Sequence, residues 1–461
     1  MSWAEDEFET VELGDKRLNR RLVTLAQQLA AKPTASIPGA CGGWGDTAAA
    51  YRLLDNERCD WREIIESHGR CAMQRMADLP VVLCLNDTTE LDFNGQTIQG
   101  LGPLSYEAQR GMYLHPTYAV STDREPLGVL DAWMWAREPR EPGAQRGGLC
   151  ESTRWVESYE RLAERAADLP ATRLVQVGDR ESDMLALMQR AQALRWPVDL
   201  LVRAQHNRRL PDGQLMWDAV QAQAVHGEIE FTLGARPGRR ARVVRQELRW
   251  RRVVVHQDAG KVIEMTCLVA SEVAAPAGEK PVCWRLLTNR EIPTLAQARE
   301  LIEWYRARWE IEMFFHVLKS GCRVEALQLA SLPKIERALA LFMVVSWRIA
   351  RLMRLGRTCP DLPASLMFEP EEIQAAYVLT QKPLPATPPS LNDVVRRVAM
   401  LGGFLARKHD GEPGVKTIWI GLQRVTDFAA GVRFMRGSGD TLGCVQWNGS
   451  GHPLFSVTAE P

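Results

Sequence analysis

A chain of 461 residues and 51.8 kDa is too long for one compact core, so two or three structural units are expected. Hydrophobic residues at 46% and charged residues at 25% exclude a chain that is disordered by default, and a net charge of zero gives in itself no reason to suspect nucleic acid. The acidic opening MSWAEDEFET lacks the pattern of a secretory signal, and the longest apolar run, Ala338 to Trp347, is about half of the roughly 20 residues a membrane helix needs, so a cytosolic protein without membrane contact is expected.

Residues 1–75 read as helical. Leu18, Leu22, Leu25 and Leu29 recur at helical spacing, and further helices fit Thr47–Leu54 and Trp61–Met76. The first of these helices is basic, with Lys16, Arg17, Arg20 and Arg21, a form suited to lying along DNA. At Val81 the rhythm changes: VVLCL is a short apolar run fit for a buried strand, and it ends in Asn86-Asp87-Thr88-Thr89. Strands follow at Tyr113–Ser121 and Leu127–Trp135, a helix at Glu151–Asp168, a strand at Arg173–Gly178, a helix at Met184–Leu194 and a strand at Val198–Arg203. Three strands, helix, strand, helix, strand is the order of a ribonuclease-H-like α/β fold, in which a mixed sheet carries helices on both faces.

Alternating stretches between about 205 and 290 read as an antiparallel sheet inserted into that core. Eight arginines lie between Arg236 and Arg252 (236, 239, 240, 242, 245, 249, 251 and 252) against the single acid Glu247, which is either a grip for phosphates or a solvated face. Helices resume at Leu295–Ser320 and Ile335–Leu355. A proline-rich stretch, Pro360–Pro388, with a short helix at Pro370–Tyr377, leads to C-terminal helices at Leu391–Leu401 and Trp419–Met435, and the weakly patterned stretch from Gly437 reads as a tail. The expected division is a helical N-terminal domain (1–75), an α/β core (76–355) with its β insertion at about 205–290, and a linker with a helical C-terminal region (356–461). The ten cysteines stand singly from Cys41 to Cys444 with no zinc-ligand spacing, as expected of buried free thiols in a reducing compartment.

Cleavage of a phosphodiester by two metal ions needs carboxylates that bridge a pair of divalent cations, and hard cations of this type take oxygen ligands. Asp87 follows the strand VVLCL and Asp179 follows RLVQVG. Aspartate after a strand is also a common turn or capping residue. The helix adds the third acid: Tyr305, Arg308, Glu312 and Lys319 stand at i, i+3, i+7 and i+14, within an arc of roughly 60° on a straight helix. One face thus mixes a metal-binding acid with phosphate-binding groups.

Tyr-x2-Arg-x3-Glu-x6-Lys, read in YRARWEIEMFFHVLK, resembles the signature of insertion-sequence transposases of the transposon-five family. LGDKRLNRRL with AYRLLDN resembles that family's end-binding domain, NDTTELDF and GDRESD its two aspartate motifs, and LGGFLARK its C-terminal dimerisation region. The resemblance implies a cut-and-paste DNA transposase with Asp87, Asp179 and Glu312 as catalytic, metal-holding triad, Mg²⁺ as cofactor (with Mn²⁺ able to substitute), and a homodimer on double-stranded transposon ends and target DNA. It further implies DNA contacts by Tyr305, Arg308, Lys319, Arg180, Arg17, Arg20 and Arg21, and a stacking role for Trp284 on a flipped base, whose plain alternative is a core tryptophan. Where the family often has a further lysine, this chain has His316, which puts one backbone contact in doubt. A catalytically lapsed, transposase-derived DNA-binding regulator is the competing expectation.

Overall fold

The structure, a computed structural model, describes residues 2–139, 150–234, 241–258 and 261–437. The stretch from 438 onward, read from sequence as a tail, and Arg236, Arg239 and Arg240 of the arginine cluster lie outside the described residues.

Five helices come first: α1 (Trp3–Glu7), α2 (Lys16–Ala31), α3 (Ile37–Ala40), α4 (Trp44–Asp55) and α5 (Trp61–Met76). Side-chain caps start four of the five: Ser2 for α1, Asp15 for α2, Ser36 for α3 and Asp60 for α5, each oxygen accepting a backbone N–H of the first turn. Next come β1 (Val81–Asn86), β2 (Thr89–Asp92), β3 (Gly102–Pro103), β4 (Arg110–Ser121), β5 (Pro126–Trp135), α6 (Thr153–Ala167), β6 (Arg173–Gly178), α7 (Leu185–Ala193) and β7 (Asp199–Arg203). The spatial order β5-β4-β1-β6-β7, antiparallel in its first half and parallel in its second, is that of a ribonuclease-H-like core.

The chain then forms α8 (Met216–Gln221), β8 (Gly227–Leu233), β9 (Arg242–Asp258), β10 (Lys261–Glu272) and β11 (Cys283–Thr288). These strands are antiparallel, as expected from their alternation, but they do not stand as a sheet of their own. Leu286–Thr288 of β11 pairs with Leu201–Arg203 of β7, so the insertion extends the core into one 11-stranded sheet. The pairing removes the open backbone edge that β7 would otherwise present.

Alternation along the central strands feeds two cores. Leu83, Leu85, Val175 and Val177 point to the face covered by the long helices, whereas Val82, Cys84, Leu174 and Leu200 point to the face covered by α6, α7 and α8. The first face carries α9 (Leu295–Ala307), α10 (Trp309–His316) and α11 (Leu332–Thr358), followed by α12 (Pro370–Leu379), α13 (Leu391–Leu401) and α14 (Val415–Gly437). Among the described residues no helix is long and apolar enough to cross a membrane, and the nine described cysteines are all free, five of them buried.

The N-terminal helices are fixed to this core by a buried polar knot. His68 Nε2 accepts from Val129 N–H at 3.1 Å, which leaves Nδ1 to donate to Glu7 Oε2 at 2.6 Å, and Arg75 Nη1 donates to Glu7 Oε1 at 2.6 Å. Arg75 also stacks on Trp347 of α11 at 4.4 Å. Burial opposes charge on Glu7, yet the His68 and Arg75 contacts hold its carboxyl down at about 2. A carboxyl held below its ordinary 4.5 stabilises the fold fully above that pH, and the contribution fades as pH falls towards 2. Glu7→Gln is therefore expected to lower stability at pH 7 by about 3–5 kcal/mol, because Arg75 loses its buried partner. Thermal unfolding of both proteins as pH is lowered from 7 to 3 should show the gap narrowing.

Candidate active site

The local chain path places the acids. β1 and β2 pair with β4 in one continuous register, Asn86 opposite Thr117 and Thr89 opposite Leu114, so Asp87 and Thr88 fall opposite Pro116 and His115. Proline has no N–H to give to the ladder, and the strand opens there. Just before the opening, Asn86 is locked to both neighbours: its Nδ2 donates to Thr117 Oγ1 at 2.9 Å and its Oδ1 accepts from Gln176 Nε2 at 3.1 Å. Asp179 follows β6 and caps a short 3₁₀ turn, its Oδ1 accepting from Glu181 N–H at 2.9 Å. The turn is tight enough to require glycine before it, since a Cβ at Gly178 would lie 2.3 Å from Ser182 Oγ.

Glu312 comes from the helix that sequence periodicity reads as straight from Leu295 to Ser320. The helix is instead interrupted at Arg308, where α9 passes into α10, and it widens into a π turn at Val317–Gly321. A π turn shifts the angular phase of everything after it. Lys319 lies within this turn and donates to the Glu90 carbonyl at 2.8 Å, with Glu325 3.1 Å away. Arg308 and Glu312 stay on the active face. Arg308 Nη1 donates to Asp87 Oδ2 at 2.5 Å and lies 3.8 Å from Glu312 Oε1.

Asp87, Asp179, Arg308 and Glu312 therefore form one electrostatic group. Burial raises the Asp87 carboxyl most, the Arg308 guanidinium pulls it back, and the charges on Asp179 and Glu312 push it up again, to about 6 in all. Among the described residues no three acids, histidines or cysteines are gathered closely enough to hold a metal ion as they stand. The donors fit a hard divalent cation in kind: all three are carboxylates, and their mutual repulsion is what a cation relieves.

The remaining residues singled out from sequence divide. Arg180, Arg17 and Arg20 are exposed, whereas Arg21 pairs with Asp46 at 3.0 Å and so ties α2 to α4. Tyr305 is buried, with the half-buried Trp284 edge-on to it at 6.5 Å, and Trp284 stacks on Phe231 of β8 at 5.2 Å. His316 leans on Trp419 of α14 at 5.4 Å. The arginine cluster is a solvated, paired face within the described residues: Arg242 faces Glu272 and Glu279, Arg245 faces Glu228, Arg249 faces Glu247, Arg251 faces Asp212 and Arg252 faces Glu264. Apart from Glu247, which shares β9 with Arg249, its partners come from other segments, so the count of neighbouring acids in sequence misjudges it. Sequence reading missed Thr88, His115 and Arg154, which are linked to one another beside the aspartates, the exposed Glu181 that Arg154 pairs with, and Trp309, 58% exposed beside Arg308.

A ribonuclease-H-like sheet with acids past the ends of its first and fourth core strands and on a covering helix defines an enzyme class that cuts and joins nucleic acid. A transposase DNA-binding model matches residues 1–59, a transposase DDE domain model residues 186–347, and a Tn5 transposase dimerisation domain model residues 344–442. The chain belongs to the Tn5-like DDE transposases: an enzyme that binds DNA, dimerises and depends on a divalent metal. The matched DDE stretch contains Glu312, while Asp87 and Asp179 precede it. Among solved structures the chain resembles a piggyBac transposase synaptic complex with hairpin DNA, at 7% identity and a TM-score of 0.38 over 98% of this chain and 84% of that one, a likeness too weak to add weight.

The raised Asp87 carboxyl has a testable consequence. A folded-state value of about 6 against the ordinary 3.8 means that ionised Asp87 destabilises the metal-free fold above about pH 6, by up to about 3 kcal/mol, and that the penalty fades as pH falls towards 4. Asp87→Asn is expected to raise the Tm of the metal-free protein at pH 7.5 and to raise it less at pH 5, as calorimetry in the presence of a chelator can measure.

Proposed function

We propose that this transposase excises an insertion element by a cut-and-paste route, nicking each transposon end, forming and opening a hairpin, and joining the freed end to target DNA, with Asp87, Asp179 and Glu312 holding Mg²⁺ or, in its place, Mn²⁺. The observation that carries the reading is the convergence of Asp87 and Asp179, past the ends of two adjacent parallel strands, with Glu312 reaching the same group across Arg308. When bound, paired divalent ions supply activation of the attacking oxygen and charge neutralisation on the leaving one. The chain's own residues do the positioning. Arg308 neutralises the acids in the free protein and can turn its guanidinium to a phosphate of the end, and Arg180 lies exposed directly after Asp179. Tyr305 backs the Trp284 ring, and Lys319 braces the π turn against β2 beside the same DNA path.

Arg17 and Arg20 of α2 grip the backbone of the end, with Arg21 holding α4 in register beside them. The working division is 1–75 for end binding, 76–355 for catalysis with its β insertion at about 205–290, and 356–461 for dimerisation. In the synaptic dimer each subunit binds one end and cuts the other, within the bacterial cytosol. Intact acids and an Arg308 poised among them favour this reading over a lapsed regulator.

Asp87→Ala, Asp179→Ala and Glu312→Ala are each expected to abolish cleavage of a labelled end while gel-shift affinity for that end stays largely intact, because binding is spread over many cationic contacts. Cleavage by purified Glu312→Ala would falsify the triad.

Trp284→Ala separates stacking from packing. As a platform for a flipped base, worth roughly 1–3 kcal/mol, its loss leaves nicking near normal and stalls hairpin formation. Parallel loss of nick yield, hairpin yield and thermal stability would instead make Trp284 a packing residue on Phe231.

A further inference from the structure

We propose that Arg154 is a positioning residue that sets the separation of Asp87 and Asp179. The proposal rests on the reading of those acids as metal-holding carboxylates and adds what ties the segments that carry them to each other.

The backbone ladder cannot do so alone. The last paired residues of β1 and β6 are Leu85 and Val177, and each aspartate lies two residues further on, beyond the last rung. Both carry negative charge, so repulsion pushes the two segments apart across the end of the β1–β6 ladder, while a pair of ions roughly 3.5–4 Å apart needs them close. Arg154, buried in the first turn of α6, spans the gap. Its Nε donates to Thr88 Oγ1 at 3.1 Å, on the residue after Asp87, and its Nη2 donates to Glu181, two residues after Asp179.

The guanidinium is itself fixed. Nη1 donates to the Glu151 carbonyl at 2.5 Å, and Trp135 and Trp155 lie 5.5 Å and 5.7 Å from its centre. Thr88 is held from behind by a 2.9 Å hydrogen bond with Nδ1 of the fully buried His115, whose ring packs edge-on to Trp155 at 4.6 Å. A planar, permanently charged fork can bridge two anchors at fixed spacing, which a lysine cannot. Arg154 thus clasps the two aspartate segments across the point where the ladder stops, and its charge sits beside Asp179 as well.

The test uses the full chain and the metal itself as probe. Arg154→Met keeps the stem and its packing; Arg154→Lys keeps the charge. Binding of Mn²⁺ to the complex with transposon-end DNA, followed by electron paramagnetic resonance, should weaken about 10–100-fold in both variants, the usual range for groups that orient ligands. The Mg²⁺ concentration for half-maximal nicking should rise in step, with end binding in chelator unchanged. Thr88→Val, which removes the anchor and not the clasp, should give a similar loss, and the double variant with Arg154→Met little more than either alone. Unaltered Mn²⁺ affinity in Arg154→Met, alongside an Asp179→Ala protein that binds none, overturns the clasp and leaves the triad standing. An Asp179→Ala protein that still binds Mn²⁺ and cuts overturns the triad beneath it. Equal losses of Tm, end binding and metal affinity reduce Arg154 to a packing residue and overturn the proposal. Should Arg154→Met fail to fold, Thr88→Val and Glu181→Gln decide, and wild-type Mn²⁺ affinity in both overturns it.

Discussion

Three carboxylates in one partly buried place repel one another, and much of this fold is arranged around that repulsion. Burial and the neighbouring acids raise the Asp87 carboxyl, and the Arg308 guanidinium counters them from the opposite helix. Behind the acids stands a second set of constraints: the Asn86 amide locked to β4 and β6, Gly178 admitting the tight turn before Asp179, and Arg154 joined to both aspartate segments. The strain of like charges is met by two arginines from different helices, one in front and one behind. The contacts behind the acids hold their segments in place, whereas Arg308, which lies between Asp87 and Glu312, is the group that has to give way to a cation.

The sheet was largely legible because its signals are local. VVLCL and RLVQVG are apolar runs of strand length that end in aspartate, and both sit in the buried parallel centre with boundaries within a residue of expectation. Pro116 was legible in principle, since a proline inside a central strand has to fall where a rung is missing. Its meaning appears only once the register puts it opposite Asp87. The helix signature was legible as spacing but not as shape: the π turn at Val317–Gly321, which carries Lys319, depends on what β2 and the 3₁₀ turn at Val324–Ala326 offer the chain, and periodicity assumes uniform winding.

Charge was the least legible quantity. Arg242 and Arg245 look unbalanced along the chain and are balanced across strands, because the sheet sets them against Glu272 of β10 and Glu228 of β8. Arg154 shows the converse. Nothing in CESTRWVESY marks it, and its importance comes wholly from Thr88 and Glu181, distant in sequence on either side.

The 27-residue α11 runs on from the catalytic sheet into the C-terminal region, and the stretches matched by the DDE and dimerisation models meet inside it, at residues 344–347. At 1.5 Å per residue it is a shaft about 40 Å long, buried for most of its length. A cut within α11 therefore does not separate two soluble halves. Any truncation there would leave a bare apolar stub such as Leu339–Val345 on one fragment and an unroofed sheet on the other, so the helix joins the two regions as a shared structural member rather than as a linker.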